Sequence, residues 1–200
     1  LLLPNEPKKH YYHHQGNIFG TYYNIRYEGT EDWHAAIQQR LQDFDHSLSM
    51  FNPNSVISHV NRNDSVLTDS LFEAMYHEAN AISCLSNGAF DITVAPLVNA
   101  WGFGKSVALG DEAKRLLGNE AQIDSIKQFV GYQHIRLTEH RLEKDDERIT
   151  LDASAIAKGY ACDVIAELLL QNDIENLLVD IGGEVVVKGY NDIGQAWRVG

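Results

Sequence analysis

The 200 residues are 44% hydrophobic and 22% charged, the proportions of a globular protein rather than a disordered or fibrous one. A formal net charge of -12 argues against duplex nucleic acid or an anionic membrane surface as the main partner, so an anionic ligand would need backbone amides, a local Lys or a metal. No stretch approaches the about 20 apolar residues of a membrane span, and the opening LLLP is too short for an intact signal sequence.

From the N-terminus, residues 1–17 read as a tail. Its histidine cluster, HYYHH at 10–14, is most simply solvated, because no carboxylate or thiolate is near it in sequence to complete a metal site. From Ile18 the run IFGTYYNIRYEG alternates and is rich in aromatic and β-branched residues, which predicts a strand. TEDWHAAIQQRLQDFDHSLSMF predicts a helix capped by Thr30, with acidic residues in its first turn and Trp33, Ile37, Leu41, Phe44 and Leu48 on one face. NPNSVISHVNRND is polar and turn-rich, a loop with one short helical turn. TDSLFEAMYHEANAISCLSNG predicts a second helix, with Thr68 or Asp69 as N-cap, Glu73 in support and Asn87-Gly88 as its stop.

The segment GAFDITVAPLVNAWGFG, residues 88–104, carries a single ionisable group, Asp91, and is broken by Gly and Pro. Pro96 suits the first turn of a short helix over PLVNAW, with GFG ending it and Ile92, Val94, Leu97 and Val98 anchoring the segment. A loop and a helix around 120–130 follow, then two alternating runs in HIRLTEHRLEKDDERITLD, a β-hairpin about the solvated turn EKDDER. ASAIAKGYACDVIAELLLQN predicts a strongly amphipathic helix, ENLLVDIGGEVVVKG a strand, a Gly-Gly turn and a strand, and AWRVG a further strand. Hairpins and helices without regular βαβ alternation make the fold α+β. Cys84 and Cys162 stand apart with no CxxC; buried free thiols are the simplest reading, and a disulfide stays open.

Three aspartates sit at junctions between apolar runs: Asp91, Asp152 and Asp180. Each has a local reading, helix N-cap for Asp152 and turn former for the other two, because a buried carboxylate must be capped or paired. DASAIAKGY adds small residues and Lys158 at a strand-to-helix junction, where unpaired amides attract anions, and DIGGE adds a point of close backbone approach. Neither is a Walker loop or a GxGxxG motif. The spacing alone supports a phosphate-containing ligand and nothing finer.

FGTYYNI, SLSMFNPNSVISHVN, GAFDITVAPLVNAWGFG, LDASAIAKGYACD and LLVDIGGEV, in this order, resemble the ApbE family of FAD:protein FMN transferases, over nearly everything from Ile18 to Gly200. The resemblance implies mixed and antiparallel sheets with packed helices, a T-fold-like architecture, with 18–200 as one flavin transferase domain. It implies FAD as substrate, Mg2+, and transfer of FMN to a threonine hydroxyl of a target flavoprotein, such as a membrane redox-complex subunit, with release of AMP. The alternatives are Mg2+-dependent hydrolysis of FAD to FMN and AMP, and FAD binding without turnover. By the same resemblance Phe19, Phe51, Ala89, Phe90, Asp91, Asp152 and Lys158 would contact FAD, and the Ala155 carbonyl would be a metal ligand. Phe19 stands where the family usually has Met, and some members carry Glu at the position of Lys158. Relatives are exported and often lipid-anchored, which implies the periplasmic side of the cell envelope. They also continue past the equivalent of Gly200 with His-Ile-Ile-Asp-Pro-like and Asp-Ala-x-x-Thr-like segments that carry further metal ligands and the expected base. The catalytic groups are therefore expected beyond Gly200, and the 200 residues alone are expected to bind FAD weakly and not to transfer FMN.

Overall fold

The computed structural model describes residues 8–101 and 120–199. In chain order these form β1 (His10–Ile18), β2 (Thr21–Gly29), α1 (His34–Leu48), α2 (Val56–Asn61), α3 (Ser70–Leu85) and α4 (Ala95–Ala100). After residue 119 come α5 (Glu120–Lys127), β3 (Ile135–Thr138), β4 (Arg141–Lys144), α6 (Ser154–Leu170), β5 (Leu177–Ile181) and β6 (Glu184–Lys188). The result is α+β, as expected, with every strand pairing antiparallel. Two compact units divide the chain: the first takes the residues up to Asp45 and from Ala157 onward, the second is His46–Ile156.

The first unit is built on a four-stranded sheet in the order β1-β2-β5-β6. Strand alternation puts Tyr23, Ile25 and Tyr27 of β2 and Leu177, Val179 and Ile181 of β5 on one buried face. Ile37, Leu41 and Phe44 of α1 and Cys162, Ile165 and Leu169 of α6 are buried too. Burial holds the Cys162 thiol protonated, its pKa pushed up to about 12, and its Sγ donates to the Glu184 carbonyl at 3.1 Å. Both cysteines are free; Cys162 is buried but Cys84 is exposed. In α6 the expected amphipathic stripe is missing: only Asp163 and Glu167 break an otherwise apolar C-terminal half.

The histidine-rich stretch is no tail. His10–Ile18 is a nine-residue edge strand in full register with β2, from His10 opposite Gly29 to Ile18 opposite Thr21. The reason lies on its inner face, where Tyr12 stacks on Tyr27 at 5.3 Å and His14 stacks on His34 at 4.3 Å. His14 Nε2 lies 2.9 Å from an Asp32 oxygen, and Tyr27 donates its hydroxyl to the same carboxylate. The β1–β2 turn is Phe19-Gly20, both at positive φ (53° and 72°), so a bulky aromatic occupies a left-handed position that normally selects Gly or Asn. Asp32, not Thr30, serves the start of α1, accepting the His34 N–H at 2.9 Å. AWRVG does not continue as a strand: Ala196 makes one isolated bridge to Tyr190, and residues 197–199 are irregular.

In the second unit Ile57 and Val60 of α2 and Phe72, Met75 and Ala79 of α3 are buried, as are Ile135, Ile149 and Leu151. Asp69 caps α3 by accepting the Phe72 N–H at 2.8 Å and also receives the Ser47 hydroxyl. Asn87 and Gly88, both at positive φ, end α3 as expected, and Pro96 lies in the first turn of α4. The β3–β4 turn is Glu139-His140, not EKDDER; Glu143 and Lys144 belong to β4, and the exposed bend comes after them. Both turn residues have positive φ, which the tight two-residue connection needs and the charge pattern did not signal. Of the anchors expected in 88–104, Ile92 is buried, whereas Val94, Leu97 and Val98 are half-buried; the GFG at 102–104 lies outside the described residues.

Asp69→Ala removes the cap and the Ser47 partner and is expected to lower stability by about 1–2 kcal/mol in urea unfolding, while Asp69→Asn keeps most of it. A second expectation concerns pH. Burial, outweighing Asp32, lowers the His14 pKa below 6.5, so the unfolded chain binds more protons between the lowered value and 6.5. Stability should rise with pH through that window, and the change in melting temperature between about pH 5 and about pH 7 should shrink in His14→Gln.

Candidate functional site

A cleft of about 400 Å³ opens in the second unit, with Phe51, Asn61, Arg62, Asn99, Asp152 and Ser154 on its walls. Its floor is set by the stretch 149–153, where Ile149, Leu151 and Ala153 are buried in strand-like alternation. Among the described residues no neighbouring strand pairs this stretch. Side chains satisfy its backbone instead, as buried polar groups require. The Asn61 amide donates to the Leu151 carbonyl at 2.9 Å and accepts the Leu151 N–H at 2.7 Å. The Lys144 ammonium donates to the carbonyls of Ile149 and Val60 at 2.9 and 3.0 Å, and burial lowers its pKa. The Asp152 N–H donates to the Ile92 carbonyl at 2.7 Å.

This frame sets the Asp152 carboxylate at the start of α6, where one oxygen accepts the Ser154 N–H at 2.8 Å. Asp152, expected as the N-cap, lies one residue before that position, bonds the first helical N–H, and lines the cleft. Phe51, also lining the cleft, is 68% exposed, an aromatic face available for stacking. Serines shape its loop: Ser55 donates its hydroxyl to the carbonyls of Ser49 and Asn52, and Ser58 to that of Asn52, all at 2.8–2.9 Å. Arg62 brings the cation nearest the cleft, but its guanidinium already contacts the Pro53 carbonyl at 2.7 Å and the Asp64 carboxylate at 3.0 Å.

The cleft thus gathers Phe51 and Asp152 of the expected residues, and Ala155 follows Ser154 as an exposed residue in the first turn of α6. Ala89, Phe90 and Asp91 do not line it. Ala89 is exposed, and the Phe90 N–H donates to the Ser86 hydroxyl at 3.1 Å. Asp91 is fully engaged in holding two loops: one oxygen accepts the Thr93 N–H and hydroxyl at 2.8 and 2.7 Å, the other the Tyr132 N–H at 2.8 Å. Sequence reasoning passed over Asn61, Arg62 and Asn99 as functional; Asn61 closes the SLSMFNPNSVISHVN motif, and that was its only signal.

The remaining two expected residues belong to the first unit. Phe19 packs on Phe44 with ring centroids 5.2 Å apart. Lys158 donates to the Gly182 carbonyl at 3.2 Å and lies 3.9 Å from Glu184, so it is tied to the Gly-Gly turn. A Cβ on Gly182 would fall 2.8 Å from the Thr21 methyl and 3.3 Å from the Lys158 chain, which explains the glycine there. Among the described residues no group of three His, Cys, Asp or Glu is placed to hold a metal ion, and no helix is long and apolar enough to cross a membrane.

The family model of the ApbE family matches residues 19–200. The chain belongs to the ApbE family. It is 31% identical to the FAD:protein FMN transferase of Vibrio cholerae over 210 aligned positions, and 34% identical to that of Salmonella typhimurium over 197. These alignments cover 100% and 92% of this chain but 61% and 55% of the relatives, so the chain spans little more than half their length. The solved flavin transferase ApbE from Vibrio cholerae superposes with a TM-score of 0.83 at 30% identity, covering 96% of this chain and 63% of that one. The apo flavinyl transferase ApbE of Pseudomonas stutzeri, at 24% identity and a TM-score of 0.80, shares the fold.

Because Asp91 accepts two hydrogen bonds from Thr93 and one from the Tyr132 N–H, Asp91→Ala is expected to destabilise the protein by about 2–3 kcal/mol, measured by urea unfolding, whatever it does to ligand binding.

Proposed function

We propose that the protein is an FAD:protein FMN transferase, moving FMN from FAD to a threonine hydroxyl of a target flavoprotein and releasing AMP. The observation that carries the reading is the cleft itself, a space of about 400 Å³ whose lining includes the aromatic Phe51 and the carboxyl residue Asp152. That space takes part of a dinucleotide, one ring system with its sugar. A carboxylate only accepts, so Asp152 would receive a ribose hydroxyl or a ring N–H, while Phe51 would stack on a ring. In the reaction the acceptor oxygen forms a bond to the FMN-side phosphorus, the bridging P–O bond breaks, AMP leaves with that oxygen, and the hydroxyl proton passes to a base. The names of the relatives support the same reading.

The Mg2+ implied by the family would find one assigned donor in this sequence, the Ala155 carbonyl. A single carbonyl does not hold a divalent ion, which takes octahedral oxygen ligation.

The test is a flavin-fluorescence titration with FAD. Phe51→Ala and Asp152→Asn are each expected to weaken binding about tenfold, the size of one lost stacking or charged hydrogen-bond contact. Unchanged affinity in both variants overturns the site. With Mg2+ and a threonine-bearing acceptor domain, flavin covalently retained by the acceptor is the expected product. Free FMN and AMP without labelled protein would instead establish the hydrolase.

A further inference from the structure

Helix α2 is only six residues long, yet it fixes both walls of the cleft. At its N-terminus Ser55 and Ser58 bind the carbonyls of the loop that presents Phe51. At its C-terminus Asn61 takes both backbone groups of Leu151, the residue before Asp152. The carboxamide does what a neighbouring strand would do, offering one donor and one acceptor at backbone spacing. Only one amide orientation satisfies both bonds, so the pair also fixes the rotamer of Asn61. Leu151 is fully buried, and its two polar groups have no water to fall back on.

We infer that Asn61 is a positioning residue for ligand binding: it holds the Leu151–Asp152 backbone and with it the place of Asp152 in the lining of the cleft. The inference rests on the reading of this cleft as the FAD site. Asn61 need not touch the ligand. Its effect reaches the ligand through one peptide unit, and a displacement of Asp152 by about 1 Å is enough to spoil a short charged hydrogen bond.

The test compares Asn61→Leu, Asn61→Asp and Met75→Ala in the full-length protein, titrated with FAD at a temperature where all are folded. Met75 is buried in the same unit away from the cleft walls, and its truncation controls for general loss of stability. Asn61→Leu is expected to weaken FAD binding about tenfold, while Met75→Ala stays within about twofold of the parent. Asn61→Asp supplies a readout that mere packing would not move. Its ionised carboxylate faces the Leu151 carbonyl, acceptor against acceptor, whereas the protonated form restores one donor and one acceptor. Affinity relative to the parent should therefore recover in Asn61→Asp as pH falls and stay low in Asn61→Leu. If Asn61→Leu does not fold, the pH profile of Asn61→Asp decides alone. Equal losses in Asn61→Leu and Met75→Ala, or a flat Asn61→Asp profile, overturn the inference. If Asp152→Asn weakens binding and Asn61→Leu does not, the inference falls and the FAD site stands; if neither Asp152→Asn nor Phe51→Ala matters, both fall.

Discussion

The cleft depends on how a buried stretch of backbone without a strand partner is satisfied. Residues 149–153 alternate in and out like a strand, with Ile149, Leu151 and Ala153 buried, but among the described residues no ladder runs beside them. Leaving those N–H and C=O groups bare would cost about 1–3 kcal/mol each. The chain answers with an amide, an ammonium and one loop carbonyl: Asn61 on Leu151, Lys144 on Ile149 and Ile92 receiving Asp152. A side-chain ladder serves where a strand ladder would block access, since a paired strand would cover the groove that Asp152 faces. The lowered pKa of Lys144 reflects the same arrangement, an ammonium drawn out of water to bridge two carbonyls.

The first unit solves its local problem differently. Its sheet is an ordinary antiparallel ladder, and the unusual backbone is confined to turns. Gly182 admits the Thr21 and Lys158 side chains against the β5–β6 turn, and Lys158 returns a hydrogen bond to that turn. Phe19 accepts a left-handed φ at the β1–β2 turn, a position that costs a bulky residue about 1–3 kcal/mol unless packing over-determines it. Packing on Phe44 supplies part of that determination.

How much of this was legible depended on whether the signal was local. Asp69 as a cap, Asn87-Gly88 as a stop, Pro96 in a first turn and Gly-Gly between β5 and β6 are decided by a few adjacent residues, and each was readable. His10–Ile18 was misread because its polar residues suggested solvent; its strand character comes from Tyr27, His34 and Asp32, more than ten residues away in sequence. The hairpin turn at Glu139-His140 was masked by the louder charge run after it. In the site, Asp152 and Phe51 were identified through the family pattern, and the structure brings both to one cleft. Asn61 was hidden because its partner, Leu151, is 90 positions away and contributes only backbone.

Charge constrains what the cleft accepts. A helix N-terminus attracts anions, but at α6 Asp152 already occupies the first amide and offsets the helix dipole. Arg62, the cation on the wall, is committed to the Pro53 carbonyl and to Asp64. The 200 residues together carry -12. Among the described residues, a phosphate arriving alone would meet a carboxylate and no uncommitted guanidinium, an unfavourable approach in a partly enclosed space where charges are weakly screened. A ligand that brings hydroxyl and ring N–H donors to Asp152 while its phosphates are neutralised by an accompanying cation meets no such penalty. Among the described residues, the charge on the cleft walls thus favours a ligand that brings donors to Asp152 over a bare anion.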